Sequence, residues 1–319
     1  MSKTACRKAL TKTLLEIAEK SKKIVVLTSD ARGSVTLNDF AAALPEQFVE
    51  VGIAEQDEIG VAAGMAACGL IPFVCAPAPF LSARSLEQIK VDVSYSNTNV
   101  KICGVSGGLS YGALGGSHHS IHDLAAVRPM ENMTVLMPAD AAQTGWMVKT
   151  IAETEGPVYM RMGRNGVEDI YTEEDVSCFE IGKAHLLREG RDITLIAAGE
   201  MVWYAKCAAE MLQEENISAR VLDMHTIKPL DIGALRAAAE ETGYLVTIEE
   251  HSVCGGLGSA VAEYICQNCP VPVKILGIPD EHVIAGDSPE VFAHYGLDGG
   301  GIAKTVRELL NKQHMEEKK

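Results

Sequence analysis

Short runs of apolar residues alternate along the first half of the chain with longer segments in which apolar residues recur at helical spacing. The predicted strands are Ile24–Thr28, Phe48–Ile53, Ile71–Ala76, Val100–Val105, Thr134–Met137 and Val158–Met162. The predicted helices are Ala5–Lys20, Gln56–Cys68, Leu86–Asn97, Ile121–Val127 and Ala141–Thr154. Strands that are apolar throughout are typical of a parallel sheet covered by helices on both faces. The pattern therefore predicts a three-layer α/β domain.

The alternation stops at residues 163–182, which are polar and acidic and have little periodicity, so we place a linker there. A second α/β series follows, with strands Ile193–Ala198, Ala219–Leu222, Leu245–Ile248 and Val273–Gly277. Its helices are Met201–Glu214, Ile232–Glu241, one near Leu257–Cys266 and a last amphipathic helix behind a glycine hinge. We predict two three-layer α/β domains, residues 1–165 and 191–319, joined by a linker at 166–190.

Composition narrows the classes of protein to consider. The chain has 319 residues, of which 47% are hydrophobic, and this is enough for about two domains. Its net charge of −15 disfavours binding to nucleic acid or to anionic membranes. No apolar run reaches the ~18 residues of a membrane span, and the first twenty residues lack the apolar segment of a secretion signal. We expect a cytoplasmic protein without a nucleic-acid or membrane partner.

Nine cysteines are scattered through otherwise apolar segments, which is typical of reduced thiols. Cys266 and Cys269 form a CxxC that lies late in a predicted helix and runs into Pro270. A redox motif of this type opens a helix after a strand, so a structural interpretation is favoured, with a redox or metal role as the alternative.

The segment VGIAEQDEIGVAAGMAACG, residues 51–69, joins a strand to a helix of small residues. Acidic residues in a first helical turn offset the helix dipole, and this is sufficient reason for Asp57 and Glu58. Glu55 differs because it lies where the strand delivers the chain to the sheet edge. Ligands of open α/β sheets bind at that edge. Glu55 is therefore a candidate ligand-binding carboxylate, with a helix cap as the alternative.

A glycine-rich segment, GVSGGLSYGALGGSHHSIHD, contains His118, His119 and His122. Dense glycine allows the backbone to approach a ligand closely. Histidines at i and i+4 share a helix face, but only Asp123 is a further metal-ligand residue nearby. We assign no metal site to this chain.

The run G-I-A-E-Q, the small-residue helix after it and G-L-I-P-F resemble the pyrimidine-binding domain of transketolases. The segments TIEEHSVCGGLGSAVAEYI and IPDEHVIAGDSPEVFAHYGLDGGGI resemble the C-terminal domain of the same family, in which we expect His251 to be structural. The resemblance implies that thiamine diphosphate is the cofactor and that Glu55 contacts N1′ of its aminopyrimidine. A carboxyl group can serve the proton exchange that favours the reactive imino form of that ring.

The resemblance implies further site residues. Phe80 matches the phenylalanine that stacks on the aminopyrimidine, with a core role as the alternative. His118 matches the histidine of G-x-D-G-x-T-H-Q and is the candidate for proton transfer with substrate hydroxyls. Asp30 matches an aspartate near the cofactor. Three further residues match contacts to the sugar phosphate, with ordinary surface roles as the alternative: Arg7, Ser34 and Arg164.

The sequence departs from the family pattern at three positions. Leu114 replaces the aspartate of the histidine motif, Ser106 replaces an upstream histidine, and Pro77 replaces an earlier phenylalanine. In the family, the aspartate and the upstream histidine contact substrate hydroxyls. Because both are replaced here, the sequence does not identify the sugar substrate.

The sequence lacks the G-D-G segment with a downstream asparagine that binds Mg²⁺ and the diphosphate in this family. We therefore expect a separate subunit of a split transketolase, because the first methionine stands almost directly before ACRKAL. The partner subunit would supply the diphosphate-binding domain and most of the Mg²⁺ ligands. The expected assembly is a homodimer or an α2β2 heterotetramer. The expected activity transfers a two-carbon ketol unit between a ketose phosphate and an aldose phosphate.

Three alternatives stay open at this point. The β subunit of a 2-oxo-acid dehydrogenase has the same size and layout, and deoxyxylulose-phosphate synthase has a similar ending. The histidine cluster after GALGGS and the segment GPVYMRMGR favour transketolase. A non-catalytic binding subunit is the alternative from another class, motivated by the changes at Ser106, Pro77 and Leu114.

Overall fold

A computed structural model describes residues 3–316. The outermost residues of the two predicted domains, 1–2 and 317–319, lie outside the described residues. The strands are β1 Lys3–Ala5, β2 Ile24–Thr28, β3 Phe48–Glu50, β4 Ile71–Pro77, β5 Lys101–Val105, β6 Thr134–Leu136, β7 Val158–Met162, β8 Gly166–Glu168, β9 His185–Arg188, β10 Ile193–Ala197, β11 Ala219–Asp223, β12 Thr226–Lys228, β13 Leu245–Ser252 and β14 Val273–Ile278.

The helices cover the faces of two sheets. They are α1 Cys6–Ala18, α2 Asn38–Ala43, α3 Glu55–Ala67, α4 Ala78–Arg84, α5 Leu86–Gln88, α6 Asp123–Val127, α7 Ala141–Glu153, α8 Met201–Glu214, α9 Ile232–Thr242, α10 Leu257–Asn268, α11 Ser288–His294 and α12 Gly299–Glu316. Three 3₁₀ segments span Pro45–Gln47, Gly112–Ser117 and Asp175–Cys178. The helix predicted at Leu86–Asn97 is wrong in form, because α5 widens into a π-helical segment at Ile89–Tyr95 that turns Ile89 and Val93 into the core.

The first sheet has seven strands in the order β12-β6-β7-β5-β4-β2-β3. Six of these strands are parallel, and β2, β5 and β7 are buried along their whole length. Burial on both faces accounts for their continuous apolar sequences. The predicted three-layer α/β arrangement of the first domain is confirmed.

The second sheet has five strands in the order β14-β13-β10-β11-β9. The strands β14, β13, β10 and β11 are parallel to one another. The edge strand β9 pairs antiparallel with β11. The strand β9 lies within the segment predicted as linker, and so does β8, which pairs with β1 at the chain start. The second α/β domain is thereby also confirmed.

The two domains pack against each other through a shared apolar core. The edge strand β12 follows the second-domain strand β11 in sequence but pairs antiparallel with β6 of the first sheet, with Thr226 opposite Leu136. One cluster of buried side chains includes Met133 and Val135 of the first domain together with Leu222 and Leu257 of the second. None of the described helices is long and apolar enough to cross a membrane.

Candidate functional site

The candidate residues lie at the carboxyl ends of the parallel strands of the first sheet. Glu55 opens α3 just after β3, Phe80 lies in α4 after β4, His118 follows β5, and Arg164 follows β7. Carboxyl ends of parallel strands meet at one edge of a sheet, and ligands of α/β folds bind there. Strand order therefore brings together four residues that span more than one hundred positions in sequence.

Glu55 is buried, with 5% of its surface exposed, although it is the first residue of a helix. Its Oε1 accepts a hydrogen bond from Arg84 Nη1 at 2.7 Å, while the Arg84 side chain stays half exposed. The helix N-terminus also favours a negative charge at this position. Glu55 is thus a carboxylate held at the sheet edge by one cation and one helix dipole.

Phe80 and Arg84 lie one helical turn apart on α4. The Arg84 guanidinium carbon lies 4.4 Å from the centroid of the Phe80 ring, which is cation–π geometry. The same guanidinium therefore contacts both the Glu55 carboxylate and the face of Phe80. Phe80 also meets the His118 ring in a T-shaped contact with 5.2 Å between centroids.

Tyr111 continues this row of side chains. Its ring centroid lies 5.2 Å from that of His118, and the Arg164 guanidinium carbon lies 5.2 Å from the same Tyr111 centroid. The His118 Nδ1 lies 2.9 Å from Ser117 Oγ. The imidazole is therefore held between two aromatic rings, with a carboxylate at one end of the row and a guanidinium at the other.

Arg7 and Arg164 form a cationic group beyond Tyr111. Burial lowers the pKa of Arg7, and the charge of Arg164 lowers it further. Arg7 Nη1 donates a hydrogen bond to the Ser34 carbonyl oxygen at 2.6 Å. Arg7 Nε and Arg164 Nη1 are buried nitrogen atoms without a hydrogen-bond partner among the described residues. Buried donors of this kind require an acceptor, so the pair is suited to binding an anion.

Asp30 lies at the end of β2 but makes no side-chain hydrogen bond with the row among the described residues. Its backbone N–H donates to Glu50 Oε1 at 2.7 Å, and Gly52 N–H donates to the same atom at 3.0 Å. Asp30 is exposed and adopts a φ of 52°. Glu50 therefore organises the loop between β3 and α3, whereas Asp30 contributes its backbone.

The three departures from the family pattern occupy different environments. Ser106 is 1% exposed, has a φ of 60° and has an Oγ without a partner among the described residues. A non-glycine residue at positive φ stores local strain, which is common at functional sites. Leu114 is 56% exposed beside the His118 loop, and Pro77 is buried at the start of α4.

A buried ion cluster supports the glycine-rich loop from behind. Arg161 Nε lies 3.3 Å from Asp123 Oδ2, and Arg161 Nη2 lies 3.6 Å from Glu250 Oε2 of the second domain. Glu250 Oε1 accepts the Leu109 N–H at 2.5 Å. A Cβ on Gly108, whose φ is +61°, would overlap the Glu250 carboxyl group. Glycine is thus required where the loop passes over this carboxyl group.

Glu58 lies one turn beyond Glu55 on α3 and is fully buried. Both of its carboxyl oxygens lack a hydrogen-bond partner within residues 3–316. Burial, reinforced by the charges of Glu55 and Glu50, raises the pKa of Glu58 to about 8, although Ser29 acts in the opposite direction. The dipole interpretation made from sequence is therefore wrong for Glu58, because a buried carboxyl group of this kind is neutral at pH 7.

The side chains of His119, His251, Cys266 and Cys269 lie outside this row of contacts. His119 Nε2 donates a hydrogen bond to the Gly112 carbonyl oxygen at 3.0 Å, and the fully buried His251 donates from Nδ1 to the Ser252 carbonyl oxygen at 2.8 Å. Cys266 and Cys269 are free thiols at the end of α10. No group of three His, Cys, Asp or Glu side chains is placed to hold a metal ion within the described part of the chain.

Sequence reasoning missed Arg84 and Tyr111. Arg84 carries a detectable signal, because it stands four residues after Phe80 and such pairs face each other when the segment is helical, as it is in α4. Tyr111 is an aromatic residue inside a glycine-rich loop, seven residues before His118. Neither position belongs to the motif residues that drew attention to the site.

Two family descriptions match this chain. Residues 2–168 match the transketolase pyrimidine binding domain, and residues 182–302 match the transketolase C-terminal domain. Together these matches cover most of the sequence. The first of them includes every residue of the row from Glu55 to Arg164.

Two curated relatives match almost end to end. A subunit of the apulose-4-phosphate transketolase of Phocaeicola vulgatus is 57% identical over 97% of this chain and 98% of its own length. A putative transketolase C-terminal section of Methanocaldococcus jannaschii is 42% identical over 96% of both chains. Among solved structures, a chain described as a split gene transketolase, inactive beta4 tetramer, is 44% identical, with 96% of this chain and 98% of that chain covered and a TM-score of 0.88.

Proposed function

The chain belongs to the transketolase family and corresponds to the pyrimidine-binding and C-terminal domains of that family, and we propose that it forms a thiamine-diphosphate-dependent transketolase together with a diphosphate-binding partner subunit. The proposed reaction moves a two-carbon ketol unit from a ketose phosphate to an aldose phosphate. The predicted family, fold and subunit type are confirmed by the comparisons, and the roles of individual residues are part of the proposal.

One observation carries the proposal. A continuous row of contacts runs from the Glu55 carboxylate through Phe80 and His118 to Arg164, along a single sheet edge. It places a carboxylate and an aromatic face at one end and two under-coordinated guanidinium groups at the other. This arrangement suits a ketol transferase, in which a cofactor ring would bind at the carboxylate end and the phosphate of the sugar at the cationic end.

The residues present fit the pyrimidine half of thiamine diphosphate. Glu55 is a buried carboxylate that can bond to a ring nitrogen, and Phe80 offers a partly exposed aromatic face one contact away. Bound at such a site, the cofactor supplies a nucleophilic carbon that stabilises the transferred ketol unit. Glu55 holds or releases a proton at N1′, and Phe80 orients the ring and excludes water.

His118 and the two arginines would act on the sugar. The His118 imidazole is fixed between two rings and can take or give a proton at a substrate hydroxyl. Arg7 and Arg164 can bind a phosphate through charge-assisted hydrogen bonds, and the Ser34 loop fixes Arg7. Asp30 would lie at the edge of the cofactor site without a direct contact to the row.

The diphosphate and Mg²⁺ would be bound by the partner subunit, because this sequence has no G-D-G segment with a downstream asparagine. Two copies of each subunit in an α2β2 assembly would complete two sites, and a homodimer of this chain is its expected core. We propose a cytoplasmic location for the assembly. The domain division at residues 165 and 191 belongs to the same proposal.

The test is reconstitution with the diphosphate-binding subunit. We expect the complex with thiamine diphosphate and Mg²⁺ to transfer ketol units from ketose phosphates, including apulose 4-phosphate, the sugar named for the relative of 57% identity. Glu55→Gln should lower kcat by about 10²–10⁴ because the proton exchange is lost. Pyruvate as the donor separates this activity from those of the 2-oxo-acid dehydrogenases and deoxyxylulose-phosphate synthase.

A matched control is Asp39→Asn, which removes an exposed first-turn carboxylate of α2 without touching the row. It should keep full activity. If Glu55→Gln retains full activity in the complex, the catalytic proposal fails and a non-catalytic binding role for this chain gains support.

A further inference from the structure

Tyr111 joins the imidazole end of the site to its cationic end. It begins the glycine-rich turn Gly112–Ser117 and is half-buried. Its ring meets His118 at 5.2 Å and 73°, and the Arg164 guanidinium lies over it at 5.2 Å. The His118 imidazole and the Arg164 guanidinium, which would act on opposite ends of a sugar, therefore both contact the same rigid ring.

Arg164 needs such a support. Its Nη1 is buried without a hydrogen-bond partner among the described residues, and the charges of Arg164 and Arg7 repel each other. Two adjacent cations repel each other unless an anion or an aromatic face stabilises them. The Tyr111 ring supplies that face before any anion binds. Burial and the Arg164 cation lower the pKa of Arg7, whereas the Tyr111 phenol acts in the opposite direction.

The other residues of the turn, 112–117, offer no comparable face. Leu114 is exposed and apolar, and residues 112, 115 and 116 are glycines without side chains. The two that remain, Ala113 and Ser117, are small. The ring of Tyr111 therefore sets the separation between the His118 imidazole and the Arg164 guanidinium.

We propose that Tyr111 is a specificity-determining residue, which holds Arg164 at a fixed distance from His118 and thereby selects sugars with a terminal phosphate over unphosphorylated sugars. This inference rests on the proposed function for its substrate. The anion-binding part rests only on the contact between Tyr111 and Arg164 and on the buried nitrogen atoms of Arg7 and Arg164 that have no partner among the described residues. A phosphate at the far end of an open-chain sugar fits this geometry, whereas an unphosphorylated sugar gains nothing from it.

The test compares Tyr111→Leu with Tyr111→Phe in the reconstituted complex, using erythrose 4-phosphate and erythrose as acceptors. Loss of a cation–π contact should raise KM for the phosphorylated acceptor about two- to thirtyfold and leave KM for erythrose unchanged. Because the Tyr111 ring also contacts His118, any change in kcat should be the same for both acceptors, whereas KM should rise only for erythrose 4-phosphate. Tyr111→Phe keeps the ring and should resemble the wild type.

Trp203→Leu is the matched control. It removes a cation–π contact of similar geometry, with Lys206 at 5.0 Å, from α8 of the second domain. It should leave both KM values unchanged. Equal increases in KM for both acceptors with Tyr111→Leu, or none, would overturn the proposal.

A second measurement needs no turnover. Inorganic phosphate is titrated into the isolated full-length chain, and Tyr111→Leu should raise its dissociation constant by a similar factor, whereas Tyr111→Phe and Trp203→Leu should not. If the wild-type complex transfers no ketol unit but phosphate binding weakens in this pattern, the proposed function fails and the role of Tyr111 in anion binding stands. If ketol transfer occurs but Tyr111→Leu affects neither binding nor KM, the inference on Tyr111 alone fails.

Discussion

Arg84 donates a 2.7 Å hydrogen bond to Glu55 and lies at the same time over the face of Phe80. These are the carboxylate and the ring that the proposed function assigns to the aminopyrimidine. The planar guanidinium of Arg84 thus contacts the Glu55 carboxylate and the Phe80 ring, the two groups that a bound aminopyrimidine would contact. Because Arg84 is half exposed, it can leave this position without unfolding its helix.

The first prediction follows because Arg84 occupies the contacts that the cofactor ring would need. Arg84→Ala should let thiamine diphosphate bind the reconstituted complex more tightly, because the cofactor no longer displaces an ion pair and a cation–π contact. Each contact is worth about 0.5–1 kcal/mol at an exposed site, so we expect the dissociation constant to fall roughly five- to thirtyfold. Isothermal titration calorimetry measures it directly.

Lys90→Ala is the control for Arg84→Ala, since it removes an exposed cation from the following π-helical segment. The dissociation constant of thiamine diphosphate from the Lys90→Ala complex should equal that from the wild type. An increase in the constant with Arg84→Ala would instead mean that Arg84 holds Glu55 in its working position.

The second prediction concerns Glu58, whose pKa is raised to about 8. The unfolded chain releases this proton near its ordinary pKa of 4.5, whereas the folded chain keeps it until about pH 8. The contribution of Glu58 to the free energy of unfolding is therefore fully retained below pH 4.5 and falls as the pH rises towards 8. The charged groups that face Glu58 are Glu55 and Glu50, and both act in the same direction.

Glu58→Gln should remove this pH dependence. We expect the variant to match the wild type near pH 5 and to be more stable by about 1–3 kcal/mol at pH 8.5, from urea denaturation. Glu87→Gln, an exposed carboxyl in α5, is the control and should show no such gain. A constant difference between Glu58→Gln and the wild type across this pH range would contradict the assigned protonation.

Most of the fold was predictable because the buried strands are apolar along their whole length. The strand β12 was not, since three residues, Thr226–Lys228, have no periodicity and pair with β6 only through contacts between the domains. The same reason applies to β9, whose sequence reads as part of a polar linker. Short edge strands are specified by their neighbours rather than by their own sequence.

The site was predictable only where a motif marked it. Phe80, His118 and Arg164 were located through resemblance. Glu55 was marked by its place between strand and helix as well, and the structure brings all four to one edge. Arg84 and Tyr111 were missed because their importance depends on which ring or carboxylate they meet. The position of Glu58 in the first turn of a helix suggested a surface carboxylate, whereas the packing of α3 turns this side chain into the core.

The third prediction concerns the loop glycines. Gly108→Ala should destabilise the protein by about 1–3 kcal/mol, because Gly108 has a positive φ and its Cβ would overlap the Glu250 carboxyl group. Gly116→Ala is the matched control in the same loop, with no atom within 4 Å of the added Cβ and no positive φ. The melting temperatures of both variants, measured by thermal unfolding, test this prediction. Equal melting temperatures would show that the loop does not depend on the close approach of Gly108 to Glu250.

The fourth prediction concerns the buried ion cluster between the domains. Arg161→Met leaves the Asp123 and Glu250 carboxyl groups buried without their cation and should lower the free energy of unfolding by about 3–5 kcal/mol at pH 8. Burial and the nearby Glu200 carboxyl raise the pKa of Glu250, and Arg161 acts against them. Without Arg161 the folded chain keeps this proton to still higher pH, so the loss of stability should shrink as the pH falls towards 5.

Arg307→Met provides the comparison, because Arg307 forms a surface ion pair with Glu215 between helices α12 and α8. An exposed pair of this kind contributes about 0–1 kcal/mol and should show little pH dependence between 5 and 8. Urea denaturation of both variants at the two pH values separates the cases. If Arg161→Met costs no more than Arg307→Met at pH 8, the buried ion cluster does not stabilise the domain interface.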